Sequence, residues 1–192
     1  MSRHYRRLSL GQGASLCAFG VLAGLAFLIA TPRVKNLPAQ FLLLLGVWVF
    51  LWFFSHDLTH QLVGGIAGVK FRYYFLGRSA ITKLKLPVIS TLAKSIPILG
   101  LKLDKQSLEA LSKNRVRLMY SSGTIASMLF PFIVLPEAYM IKTLLGVFFT
   151  LLTLTNLLFT IYFSSRAGDL RRAFTFRDIV VSRSEPQYRK GS

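Results

Sequence analysis

Cysteine, histidine and acidic residues are all scarce in this 192-residue chain. A single cysteine, Cys17, excludes an intramolecular disulfide framework and a cysteine-based zinc cluster. Three histidines are too few for the histidine-rich boxes that hold two irons in membrane desaturases and hydroxylases. Seven acids stand against 24 lysines and arginines, a net charge of +17. Yet 53% of the chain is apolar and its mean hydropathy is +0.50. Soluble domains rarely combine the two, whereas apolar spans joined by basic loops do so naturally. No internal repeat or low-complexity tract is evident.

Four apolar segments approach the ~20 residues that a helix needs to cross ~30 Å of hydrocarbon. They run over Ala14–Ala30, Ala39–Ala67, Leu118–Leu135 and Tyr139–Phe163. The first begins after arginines, as a signal peptide does. Ile29-Ala30-Thr31-Pro32 offers no small-residue cleavage site, so it reads as a retained span. Basic residues sort the spans into a topology. Arg3, Arg6 and Arg7 precede the first, and only Arg33 and Lys35 follow it. Eleven lysines and arginines lie from Lys70 to Arg117, the hairpin that joins spans three and four has one (Lys142, close to the start of span four), and seven lie from Arg166 to Lys190. Positive charge on alternate sides predicts that both termini and the central loop are cytoplasmic. The charge also suits anionic lipid. Loops beside spans already have a reason to be basic, so nucleic acid is not an expected partner.

The fold expected is therefore an α-helical polytopic membrane protein with four transmembrane helices and a small cytoplasmic β-rich loop between the second and third. The loop, residues 69–106, alternates apolar and basic residues at 69–73, 81–86 and 99–103, the period of strands with one apolar face. From Ser107 the pattern turns helical through Leu108, Leu111, Val116 and Met119. Three parts follow: residues 1–38 (tail and first span), 39–172 (a membrane core) and 173–192 (a basic tail).

The concentrated chemistry lies in His56-Asp57-Leu58-Thr59-His60, near the end of the second apolar run. Histidines four apart share one helix face, so both imidazoles can reach one metal ion. Ionisable groups in apolar spans are costly unless paired or functional. The topology puts Asp169, just after span four, at the same membrane face as His56 and His60. Two histidines and a carboxylate suit a zinc site with one open position. The plainer alternatives are a surface ion pair between Asp169 and Arg166, Arg171 or Arg172, and a paired buried acid at Asp57.

These residues resemble the site-2 protease family of intramembrane zinc metalloproteases, whose motif is H-E-x-G-H on a membrane helix. The resemblance continues through Gly68-Val69-Lys70-Phe71, similar to the family's glycine and short basic strand. It extends to Ser121-Ser122-Gly123-Thr124-Ile125-Ala126, similar to the small-residue turn that opens its next core helix. Gly168-Asp169-Leu170 stands where the family places an aspartate before glycine. The likeness covers residues 39–172. It implies a zinc held by His56, His60 and Asp169, with Asp57 as general base. It implies a membrane helix as substrate, unwound and held along a strand edge. Asp57 stands in place of the usual Glu, one methylene shorter. Asn156, thirteen positions before Asp169, does not match the family's asparagine. A catalytically inactive relative, acting as a membrane scaffold or assembly subunit, is the alternative. A further one is a structural subunit whose His56 and His60 contact a partner's cofactor.

Overall fold

The computed structural model describes residues 6–78, 97–166 and 168–175. The predicted strand at 81–86 and the tail beyond residue 175 lie outside them. Four helical segments are long and apolar enough to cross a membrane: Leu10–Arg33, Leu37–Ala67, Lys113–Ile141 and Thr143–Arg166.

Helix α1 (Leu10–Ala30) opens on a capping box. Ser9 Oγ accepts the Gln12 N–H at 3.2 Å, and Gln12 Oε1 accepts the Ser9 N–H at 3.0 Å. Pro32 then turns the chain through a short 3-10 helix. Helix α2 (Leu37–Ala67) is capped by Asn36, whose Oδ1 accepts the Ala39 N–H at 3.0 Å. Its 31 residues span about 46 Å at ~1.5 Å each, longer than the ~30 Å of hydrocarbon. The histidines lie in its C-terminal half. Gly68 ends α2 at φ 93°, a left-handed conformation natural to glycine, and the Val69 N–H returns to Gly64 O at 2.8 Å.

Three antiparallel strands follow the order β1 (Arg6–Leu8), β2 (Phe71–Arg78), β3 (Pro97–Leu103). Leu8 pairs with Tyr74, and Leu76 with Leu99. The tail before α1 thus supplies a strand, which its three arginines gave no reason to expect. Tyr74 is fully buried and packs with Cys17 of α1 and Leu99 of β3. Its hydroxyl donates to Gln61 Oε1 at 2.7 Å, tying the sheet to α2.

After the short helix α3 (Lys105–Glu109), the third span is broken. Helix α4 (Lys113–Leu129) leads through a 3-10 turn at Phe130–Ile133 into α5 (Val134–Ile141). Pro131 lacks the N–H that a continuous helix would use. The reversal falls at Lys142, in extended conformation, rather than at residues 136–138 as hydropathy suggests. Pro136 sits in the first turn of α5, where a missing N–H costs little. Helix α6 (Thr143–Arg166) completes the bundle, and residues 169–175 form a further helical stretch.

Leu44, Val47, Trp48 and Leu51 of α2 pack with Val134 and Ala138 of α5 and with Leu145 and Phe149 of α6. Outward faces remain apolar, with Phe19, Leu22, Ile29, Leu42, Leu144, Leu151 and Leu158 exposed. A helix that is hydrophobic all round suits hydrocarbon better than water. α1 lies close on α2 because Gly20 leaves room for the Phe54 ring, which a β-carbon there would overlap. Gly20→Val should therefore destabilise the α1–α2 contact by about 1–3 kcal/mol. Its thermal transition in detergent should fall, while that of Gly11→Ala, which faces open space, should not.

Candidate metal centre

His56 and His60 lie one turn apart on α2, and Asp169 lies just beyond the end of α6. The fold brings together one ligand atom from each, all within 4.8 Å of one another. This group can hold a metal ion. His56 Nε2 and His60 Nε2 lie 3.4 and 3.3 Å from Asp169 Oδ2.

The partners on the far side of each ring decide what those nitrogens carry. His60 Nδ1 is 2.7 Å from Met119 O. A carbonyl only accepts, so Nδ1 holds the proton, and the neutral ring then presents a lone pair at Nε2. His56 Nδ1 is 3.4 Å from Ser127 Oγ, and that hydroxyl donates to Thr124 O at 3.0 Å. Ser127 has one proton and spends it on Thr124, so it can only accept from His56. His56 is thereby also left with a lone pair at Nε2. Two lone pairs thus converge on a carboxylate oxygen, an arrangement that needs either an added proton or a cation among them. Fixing the outer ring nitrogen by a hydrogen bond is how metal-ligating histidines are oriented.

Asp169 is positioned from both sides. Arg172 donates to its Oδ1 at 3.0 Å, leaving Oδ2 to the histidines. Burial alone would raise the Asp169 carboxyl, but where no cation is bound a proton taken up by the facing imidazoles is shared with it, which outweighs burial and holds it well below the ordinary carboxylate range. The ion pair with Arg172 is thus real, and Oδ2 remains available alongside it. The backbone folds back here because Gly168 has no β-carbon; one would lie 2.7 Å from Ser164 Cα. His60 is 7% exposed, whereas the side chains of His56 and Asp169 are 32% and 20% exposed. The group is closed on the His60 side and open on the other.

Asp57 does not join the converging atoms. It is buried beside the histidines, within electrostatic range of both and also of Cys17 on α1. The third histidine, His4, lies outside the described residues.

Several contributors were not legible as such. Ser121–Ala126 reads as a helix-opening turn but lies in the middle of α4. Its small residues serve a close helix crossing instead: a β-carbon on Gly123 would overlap the His60 ring and lie 2.7 Å from His56 O. Asn156 does not face the metal ligands directly. Its Nδ2 donates to Ser127 O at 3.0 Å, pinning the residue that meets His56. Buried polar residues in apolar helices were the available signal; their partners were not.

No protein-family model matches the chain, and no curated protein or solved structure is significantly similar to it.

Gly123→Ala should push α4 from α2 and lower metal affinity by about 10-fold or more, the loss typical when ligand orientation is disturbed. Gly65→Ala, on the histidine helix but facing open space, should leave affinity unchanged. Zinc titration of the purified proteins in detergent measures both.

Proposed function

We propose that this chain is a multi-pass membrane zinc protein of site-2 protease-like character, hydrolysing peptide bonds in membrane-embedded helices. The observation that carries the reading is the convergence of two proton-free imidazole nitrogens on Asp169 Oδ2. The donor set suits zinc: two neutral imidazoles and one carboxylate, with the His56 side open to a fourth ligand. Zinc held there supplies a Lewis acid that polarises a carbonyl and lets water lose a proton near neutral pH.

The chain's own groups do the rest. Met119 O and Ser127 Oγ keep the outer nitrogens of His60 and His56 protonated, so that the inner ones stay available as ligands. Arg172 holds Asp169 by the oxygen that is not a ligand. Asp57 is an acid beside the ligands that is not itself one, and in this reading it accepts the water's proton and passes it to the leaving amine. The apolar outer faces meet lipid, and the basic segments meet anionic headgroups on the cytoplasmic side. The partner is a membrane-protein substrate. A second reading, a metal-bearing relative without catalysis that acts as a membrane scaffold or assembly subunit, is favoured by Asp57 lying outside the convergent group.

Purified protein should contain close to one zinc per chain. Alanine at His56, His60 or Asp169 should remove most of it, and His4→Ala should remove none. Asp57→Asn should keep the zinc and abolish cleavage of a reconstituted membrane-helix peptide. An equal residual rate in Asp57→Asn and the natural chain selects the scaffold reading, and a zinc-free natural chain ends both.

Orientation has its own measurement. In intact cells, a cysteine at Ser112 should be shielded from an impermeant thiol reagent and one at Lys142 should react. The opposite pattern would reverse the topology.

A further inference from the structure

Ser127, Thr124 and Ser164 are buried hydroxyl residues, 4%, 1% and 4% exposed, in helices otherwise rich in apolar side chains. Together they form a line between two of the candidate ligands. From His56 Nδ1 it passes to Ser127 Oγ at 3.4 Å and on to Thr124 O at 3.0 Å. The Thr124 hydroxyl then meets Ser164 Oγ at 3.3 Å, across the α4–α6 interface. Ser164 Oγ accepts the Leu170 N–H at 3.0 Å, and Ser164 O accepts the Gly168 N–H at 3.2 Å. The residue between those two amides is Asp169. Thr124 thus touches both arms, its carbonyl serving the α2 ligand and its hydroxyl serving the turn that carries the ligand from α6.

We propose that Thr124 is a positioning residue for the metal centre, coupling the place of Asp169 to that of His56 through Ser164 and Ser127. The inference rests on the metal reading above and deepens it. His56 and His60 are spaced by their own helix. Asp169 has no such constraint, because it lies past the end of α6 on a turn that begins at Gly168. Apart from the imidazoles it is held by Arg172, which is 58% exposed and so loosely held. The Thr124–Ser164 contact is the buried tie between that turn and the helix packed on the histidines. Interhelical hydroxyl contacts in apolar surroundings contribute modestly to stability. A displacement of ~1 Å in a ligand set, by contrast, is costly to its chemistry. The contact should therefore matter more to the metal centre than to the fold.

The test is cobalt(II) titration of the purified full-length chain in detergent, reading affinity and the ligand-field absorption spectrum. Thr124→Val keeps the side-chain shape and removes the hydroxyl. It should weaken cobalt binding about 10–100-fold and alter the spectrum. Thr124→Ser, which restores the hydroxyl, should return both to those of the natural chain. Ser164→Ala cuts the same arm without touching α4 and should behave as Thr124→Val does, answering the question should the valine variant fail to fold. Thr153→Val is the control for a merely structural hydroxyl. It removes the acceptor that Trp48 Nε1 meets at 3.0 Å, in the buried α2–α6 interface away from the ligands. It should lower the thermal transition and leave cobalt affinity unchanged. Natural affinity and spectrum in both Thr124→Val and Ser164→Ala would overturn the proposal. So would an equal loss of affinity in Thr153→Val, which would mark a general effect of packing. If the natural chain binds no cobalt, the metal reading fails and this proposal with it; failure in the variants alone leaves that reading standing.

Discussion

The crossing of α4 over α2 at Gly123 is the contact on which the candidate centre depends. Glycine there lets the α4 backbone reach the imidazoles themselves, with no room for a methyl group between His60 and His56 O. That approach brings Met119 O to His60 and Ser127 Oγ to His56. Two helices packed at ordinary side-chain separation would leave both outer nitrogens without these partners. Buried imidazoles in apolar surroundings would then face the full cost of unsatisfied polar atoms. The small residues of α4 therefore matter for what they omit.

Polar groups elsewhere in the bundle follow the same economy. Thr153, Asn156, Thr160 and Ser164 recur along one face of α6, and each of these has a hydrogen-bond partner. Trp48 reaches Thr153 at one end, and Ser164 reaches Thr124 at the other. Within apolar helices a polar side chain has few places to go, so such contacts fix rotation and register more than they add stability. The face that α6 turns toward its neighbours is thereby set, and with it the point at which the chain leaves α6 for Asp169. The outer faces have no such constraint and carry many large apolar side chains.

Asp57 stands apart from the candidate ligands. It neighbours His56 in sequence, but that neighbour relation turns it about 100° around the helix from the shared histidine face. It looks partly toward α1, where Cys17 and Tyr74 lie and where the N-terminal strand packs. A first helix laid against this side makes the environment of Asp57 more enclosed than that of His56. The ligand set and the acid are thus governed by different neighbours, α4 and α6 for the first, α1 and β2 for the second.

How much of this could be read from the residues depends on range. Helix positions follow from local hydropathy, so four apolar spans were legible, with ends displaced by the caps at Ser9, Asn36 and Gly68 and by the break at Pro131. The spacing of His56 and His60 is likewise a property of one helix, and the topology read from the charges, together with the resemblance at Gly168-Asp169-Leu170, suggested Asp169 as their companion. Alternation marked strand character at 69–73 and 99–103, which overlap the strands at 71–78 and 97–103. The strand at Arg6–Leu8 was not so marked, because three residues are too short for a period and its partner lies some 70 positions away in the register. The mid-helix role of Gly123, the pinning of Ser127 by Asn156 and the tie from Thr124 to Ser164 were equally hidden. Each depends on which face of one helix meets which face of another, which long-range packing decides and local pattern does not. The residue types able to hold a metal were written in the chain; the tautomers and positions that would let them do so came only from the tertiary structure.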